Sequence, residues 1–117
     1  MAYDPDNVFA RILREEIPST RVFEDDQFIA IRDLSPQAPT HILVLPRGEG
    51  PVGPADLTAA DAPWVGQMVV LATQIAREQG LAEDGYRLVI NCGRDGGQTV
   101  PHLHLHILGG RALHGLG

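Results

Sequence analysis

The chain contains no lysine, only one cysteine and no long apolar run. All nine basic residues are arginines, so a mechanism through a lysine Schiff base is excluded. Cys92 alone cannot form an intrachain disulfide or a multi-cysteine zinc site, which favours a reducing cytoplasm. No segment has the composition of a secretory leader or a membrane span, so we expect neither secretion nor insertion. The net charge of −6 argues against a broad nucleic-acid-binding surface.

Three of the five histidines occupy alternate positions in the segment Pro101–Leu108. Strict alternation predicts a β-strand over His102–Leu108, with three imidazoles on one face and three aliphatic side chains on the other. Three interpretations are open for such a face. The imidazoles could bind a metal, form a catalytic cluster with one ring as nucleophile, or lie on the solvent face of an amphipathic strand.

A glycine-rich segment, Asn91–Val100, precedes the histidines. Glycines allow backbone N–H groups to converge on an anion, and Gln98 and Thr99 add neutral donors. The segment is therefore either a phosphate-binding loop or an ordinary hairpin connection.

The remaining pattern predicts a single α+β domain over residues 1–117, with an antiparallel sheet, one short helix and one long helix. Asp61 is expected to cap the long helix. Most of the helix's apolar line from Trp64 to Ile75 is expected to pack on the sheet, and the rest of that line is expected to contact a partner subunit. Gly48–Pro54 is expected to be a flexible loop. The predicted helices are Asn7–Glu15 and Asp61–Gln79, and the predicted strands before the histidines are Arg21–Glu24, Gln27–Arg32, Ile42–Leu45 and Tyr86–Asn91.

Several motifs in order resemble the histidine triad superfamily, and specifically its nucleotide-binding, phosphoramidase-like branch. The resemblance covers about residues 7 to 114. The matching segments are Ile17-Pro18, Phe23–Asp26, Asp33–His41, Asp95–Gln98, His102-x-His104-x-His106 and Gly109-Gly110-Arg111.

The resemblance implies a homodimer whose sheet extends across the two subunits. It also implies a metal-independent hydrolase of purine nucleoside 5′-phosphoramidates and related adenylates, working through a nucleotidyl-histidine without a cofactor. The alternatives are a dinucleoside polyphosphate hydrolase and a nucleotide-binding regulatory module. A metal-binding protein is the least favoured alternative. Gly109-Gly110-Arg111 argues against the polyphosphate hydrolases, which usually place a proline soon after the triad.

The resemblance also assigns roles to individual residues. His104 would be the nucleophile, His106 would contact nonbridging phosphoryl oxygens, His102 would orient the nucleophile's ring, and His41 would join the cluster. The phosphate donors would be Asn91, the backbone at Gly97 and Gln98, and Thr99, which stands where the branch commonly has serine. No carboxylate is expected beside the triad, so no divalent cation is expected there.

Nucleoside recognition would lie in the first third of the chain. Asp33 would accept hydrogen bonds from both ribose hydroxyls, while Phe9, Ile12, Ile31 and Leu34 would contact the base. The alternatives are a solvated turn aspartate and ordinary core aliphatics. Apolar walls discriminate weakly between purines, so AMP and GMP both remain candidate ligands. The last residues, 112–117, lack the tryptophan- and proline-containing tail that the branch often has.

Overall fold

The computed structural model describes residues 2–116 and contains one five-stranded sheet with a helix on each face. The short helix is α1 and the long helix is α2, which two 3₁₀ turns precede. The elements in chain order are α1 (Val8–Leu13), β1 (Arg21–Glu24), β2 (Phe28–Arg32), β3 (Thr40–Pro46), the 3₁₀ turns Pro54–Asp56 and Ala59–Asp61, α2 (Ala62–Glu78), β4 (Tyr86–Val89) and β5 (Leu105–Gly109).

All neighbouring strands are antiparallel, and the order across the sheet is β1-β2-β3-β5-β4. The last strand therefore lies between β3 and β4 rather than at an edge. In the β3–β5 pairing, His41 lies opposite Leu108 and Leu43 lies opposite His106. This register brings residues 65 positions apart in sequence into one site. The expected α+β architecture is confirmed.

The alternation of side chains divides the sheet into two apolar faces. The face under α2 buries Ile42 and Val44 of β3 with Leu105 and Ile107 of β5, against helix residues such as Met68. The opposite face packs α1 against β2 and β3 through a second set of buried side chains, namely Phe9, Ile12, Ile29, Ile31, Leu43 and Leu45. Because His41 and His106 alternate with the first set, they lie on the α1 face.

Strand β5 begins at Leu105, so the prediction that the strand starts at His102 is wrong. Pro101 has no backbone N–H, and the next two backbone N–H groups are used outside the sheet. His102 N donates to Val100 O at 2.9 Å, and Leu103 N donates to Pro51 O at 3.1 Å. The segment before β5 is therefore held by loop contacts, while its side chains keep the predicted alternation of imidazole and aliphatic.

One smaller prediction is also corrected. Asp61 occupies the position before α2, but its carboxylate accepts from Thr58 N and Trp64 Nε1 rather than capping α2. In the segment predicted to be a flexible loop, Val52 is buried and hydrogen-bonded through both backbone groups, to Asp56 Oδ2 and Gln98 Nε2. Burial and these bonds hold Val52 in place, whereas Gly48, Glu49 and Gly50 at the start of the segment are exposed.

Among residues 2–116, no helix is both long enough and apolar enough to cross a membrane.

Candidate active site

Four histidines meet on the α1 face of the sheet. His106 projects from β5, His102 and His104 come from the segment before it, and His41 comes from β3. The ring centroids of His104 and His106 are 4.9 Å apart, and those of His41 and His106 are 5.1 Å apart. All but His106 are buried, since His41 and His104 are each 5% exposed and His102 is 1% exposed. The structure therefore excludes the interpretation that these are solvent-face histidines.

The nitrogen that could act as nucleophile is identified by a hydrogen bond to the backbone. His104 Nδ1 lies 2.7 Å from the carbonyl oxygen of His102. A carbonyl oxygen only accepts, so Nδ1 carries the proton and the neutral ring has its free lone pair on Nε2. The Phe9 and His104 rings also form a T-shaped pair, at a centroid distance of 4.8 Å and an interplanar angle of 74°. The imidazole is therefore fixed in both tautomer and orientation.

A second chain of hydrogen bonds determines the proton position on His106. The backbone N–H of Gln37 donates to His41 Nδ1 at 3.1 Å, so the proton of neutral His41 lies on Nε2. His41 Nε2 lies 2.8 Å from His106 Nδ1 and donates to it. Neutral His106 consequently carries its own proton on Nε2. The pair His104 and His106 thus combines one bare nitrogen with one N–H donor.

The third triad member, His102, is held from two sides. Its Nε2 lies 2.9 Å from the carbonyl oxygen of Pro46, so Nε2 carries the proton. Its Nδ1 lies 2.7 Å from the hydroxyl oxygen of Tyr3 and accepts from it. Sequence reasoning missed Tyr3, because an isolated tyrosine in a polar N-terminal segment belongs to no recognisable pattern.

Burial keeps the cluster neutral. Loss of solvent is the largest cause of the lowered pKa at His41, His102, His104 and His106, and the pKa of His106 falls to about 4. The neighbouring imidazoles of His104 and His41 contribute to this lowering of the pKa of His106, while the Asp33 carboxylate opposes it. All four rings are therefore uncharged at neutral pH, which leaves the lone pair of His104 Nε2 available for attack.

Asp33 lies directly beside this cluster, contrary to the expectation that no carboxylate would. Its Oδ2 is 3.4 Å from His41 Nε2, and its Oδ1 accepts from the backbone N–H of Ser35 at 2.8 Å. One ligand atom each from Asp33, His41 and His106 lie within 4.8 Å of one another, so these three residues could hold a metal ion. The two ring nitrogens that face each other in this trio, His41 Nε2 and His106 Nδ1, are already hydrogen-bonded to one another at 2.8 Å.

The glycine-rich loop offers fewer free donors than expected. The backbone N–H groups of Gly97 and Gln98 donate within the loop, to Arg94 O and Gly93 O. The Gln98 side-chain amide donates to Val52 O at 2.6 Å and to Val100 O at 3.0 Å, so its two hydrogens are both used.

Two expected donors keep free capacity. Asn91 donates one amide hydrogen to Gly96 O at 2.6 Å, which leaves its second hydrogen. Thr99 is exposed, and its hydroxyl makes no hydrogen bond within the described part of the chain. Among the loop residues assigned to phosphate binding, Asn91 and Thr99 are therefore those with donors to spare.

The apolar residues expected at the base differ in their surroundings. Ile12 and Ile31 are only 1% and 2% exposed and lie in the core cluster with Phe9. Their burial fits the core alternative that the sequence left open. Leu34, by contrast, is 71% exposed next to Asp33. Phe9 is itself only 7% exposed in the same cluster, so Leu34 is the exposed apolar residue of this set.

The arrangement of neutral histidines on an antiparallel sheet defines a histidine triad protein. Residues 14–113 match the HIT domain family, and the chain belongs to this family. It is 49% identical over 108 residues to the purine nucleoside phosphoramidase of Escherichia coli (strain K12), covering 92% of this chain and 90% of that protein.

Solved structures agree with this assignment. A histidine triad protein from Clostridium difficile superposes with a TM-score of 0.90 at 42% identity, covering 97% of this chain and 98% of that one. A HIT family hydrolase from Legionella pneumophila Philadelphia 1 gives a TM-score of 0.87 at 43% identity, covering 92% and 95% of the two chains.

Proposed function

We propose that the chain is a hydrolase of purine nucleoside 5′-phosphoramidates and related adenylates, and that it works through a nucleotidyl-histidine on His104. The observation that carries this proposal is the hydrogen bond from His104 Nδ1 to the His102 carbonyl. It leaves Nε2 as a bare, neutral nitrogen with no hydrogen-bond partner among the described residues, on a histidine that is 5% exposed. The name of the 49% identical Escherichia coli protein, purine nucleoside phosphoramidase, supports the substrate class.

In the first step, the lone pair of His104 Nε2 attacks phosphorus, and the bond from phosphorus to the leaving nitrogen breaks. The electron pair departs with the leaving amine, which takes a proton from the Thr99 hydroxyl or a neighbouring imidazole. The nucleotidyl-imidazole is positively charged, and the His102 carbonyl, as acceptor of the Nδ1 proton, stabilises that charge. His106 Nε2–H donates to a nonbridging oxygen, whose charge grows in the transition state.

In the second step, a water oxygen attacks phosphorus and the bond from phosphorus to His104 Nε2 breaks. The electron pair returns to Nε2, and the water proton passes to the group that protonated the leaving amine. The products are the nucleoside 5′-monophosphate and the free amine. Every group used in the two steps belongs to the chain, to the substrate or to water, so the proposed cycle needs no metal.

Nucleoside binding is assigned to Asp33, Phe9 and Leu34. The Asp33 carboxylate has unused acceptor capacity, since its one hydrogen bond is to Ser35 N and its other oxygen is 3.4 Å from His41. A ribose diol would use that capacity. Phe9 and Leu34 would contact the purine of AMP or GMP.

We also propose that the chain acts as a homodimer. β4 lies at one edge of the sheet and pairs only with β5 within the described chain. An uncovered strand edge favours pairing with a second copy, which would extend the sheet. On α2, Val69 and Val70 are 37% and 56% exposed, while Met68 and Ile75 are committed to the core of their own subunit. Val69 and Val70 are therefore exposed apolar residues on α2 that a partner could cover.

The test measures turnover of adenosine 5′-phosphoramidate by wild type and by His104→Ala. Turnover of diadenosine tetraphosphate, which represents the alternative substrate class, is measured under the same conditions. We expect His104→Ala to lower kcat on the order of 10³-fold or more while changing AMP binding only a few-fold. His114→Ala serves as the control, because His114 is the histidine outside the cluster and is exposed.

Rapid acid quenching followed by mass spectrometry should place the nucleotidyl group on the peptide containing residues 102–106. A near-wild-type rate in His104→Ala, or an adduct on another residue, would refute the proposed nucleophile. Faster turnover of the diadenosine compound would instead favour a dinucleoside polyphosphate hydrolase.

A further inference from the structure

The N-terminal segment before α1 reaches the triad through one side chain. The Tyr3 hydroxyl lies 2.7 Å from His102 Nδ1, and the two rings meet edge to face at a centroid distance of 5.6 Å. Tyr3 is half-buried, although Ala2 and Asp4 on either side of it are exposed. It also lies outside residues 14–113, which match the HIT domain family. The contact therefore involves a residue outside the part of the chain that matches the family model.

The direction of the Tyr3 hydrogen bond follows from the other side of the His102 ring. Because His102 Nε2 faces the carbonyl oxygen of Pro46 at 2.9 Å, its proton is on Nε2 and Nδ1 holds a lone pair. The tyrosine O–H donates to that lone pair. His102 is 1% exposed, and within the described chain Tyr3 is the sole partner of Nδ1. Removing the hydroxyl would leave a buried acceptor without a donor.

His102 in turn holds the nucleophile. Its backbone carbonyl receives the Nδ1 proton of His104, which is the bond that leaves His104 Nε2 bare. Residues 101–104 lie outside the β-sheet ladder, so the position of this carbonyl depends on what holds the His102 ring and backbone. Tyr3 and Pro46 hold the ring from its two nitrogen atoms. The hydroxyl is thus two hydrogen bonds away from the nucleophilic nitrogen.

We propose that Tyr3 is a positioning residue for the triad, which locks His102 in its Nε2–H tautomer and so steadies the carbonyl that orients His104. Its kinetic consequence rests on the proposed function, whereas its effect on the imidazoles does not. Tyr3 touches no reacting atom and acts only through His102.

The perturbation is Tyr3→Phe, which keeps the ring contact and removes the hydroxyl. The chain has two tyrosines, and Tyr86→Phe is the matched control because Tyr86 packs on the α2 face of the sheet, away from the triad. With imidazole nitrogens labelled with ¹⁵N, the wild type should show His102 with a protonated Nε2 and an unprotonated, hydrogen-bonded Nδ1. In Tyr3→Phe the Nδ1 resonance of His102 should shift and the resonances of His104 should broaden or split.

With adenosine 5′-phosphoramidate, Tyr3→Phe should lower kcat about three- to tenfold, the effect of losing one neutral hydrogen bond, with KM unchanged. Tyr86→Phe should match wild type in both measurements. Unchanged His102 and His104 resonances in Tyr3→Phe would overturn the proposal. A loss of kcat seen in Tyr3→Leu but not in Tyr3→Phe would also overturn it, because the ring of Tyr3 rather than its hydroxyl would then be responsible. If the wild type does not turn over the substrate, the proposed function fails, but the resonances still decide the role of Tyr3.

Discussion

Substitution of Asp33 should abolish most of the preference for ribose over deoxyribose, and it should also lower kcat modestly. If the carboxylate accepts from both ribose hydroxyls, a 2′-deoxy substrate loses one hydrogen bond to a charged group, worth about 1 to 3 kcal/mol. The Asp33 side chain is 21% exposed and Oδ1 already accepts from Ser35 N, so both solvent and the turn share its charge. We therefore expect the middle of that range, about 2 kcal/mol, or about a thirtyfold preference for ribose in kcat/KM.

Asp33→Ala should reduce this preference to about twofold or less, so the ribose and the carboxylate should be strongly coupled in a cycle of substrate against mutant. It should also lower kcat modestly, because Oδ2 lies 3.4 Å from His41 Nε2 and the carboxylate raises the pKa of His41 and His106. Asp33→Asn should give an intermediate preference, since its amide oxygen can still accept from Ser35 N while the charge is lost.

The assay is kcat/KM for the adenosine and 2′-deoxyadenosine phosphoramidates with each variant. Asp25→Ala is the matched control, because Asp25 Oδ1 accepts from the backbone of Gln27 and Phe28 in a similar turn, and its carboxylate is hydrogen-bonded to no histidine. It should lose stability and keep the full ribose preference. Equal ribose discrimination in wild type and Asp33→Ala would refute the reasoning and leave Asp33 as a turn residue beside His41.

Three further predictions concern the whole chain. The pKa of His106 is lowered to about 4 in the folded state, so the unfolded chain binds more protons below about pH 6.5. The free energy of unfolding should therefore fall on acidification, and His106 alone should account for about 2 kcal/mol of that fall at pH 5. Urea titrations should show a smaller fall for His106→Asn than for wild type, and the same fall as wild type for the exposed control His114→Asn. Chelator treatment should leave turnover unchanged although Asp33, His41 and His106 could hold an ion, and stoichiometric zinc whose removal abolishes activity would contradict the proposed metal-free cycle. Light scattering should report about twice 12.7 kDa, and a fully active monomer would contradict the dimer.

Much of the site could be predicted from local patterns along the chain. The alternation through residues 102–107 separates imidazoles from core aliphatics, and the structure keeps that separation even though β5 begins only at Leu105. The periodicity of α2 predicts its buried line, and Met68, Leu71 and Ile75 are indeed buried. Such patterns are readable because burial of one face depends on spacings of two to four residues.

The hydrogen-bond partners that give the histidines their chemistry lie too far away in sequence for any spacing rule. His102 bonds to Tyr3 and Pro46, at sequence separations of 99 and 56 residues, and His41 bonds to His106 at a separation of 65. The same holds for Gln98, whose amide appeared free in the sequence and is used by Val52, 46 residues before it.

The sequence by itself thus determined which residues are available and which face of the sheet they share. Only the tertiary structure decided which ring nitrogen carries each proton, that Asp33 lies beside His41, and which loop donors are left for a phosphate. The physical reason is that a tautomer depends on the particular donor or acceptor facing each nitrogen, and those partners are brought together by the strand order and the packing of the N-terminal segment.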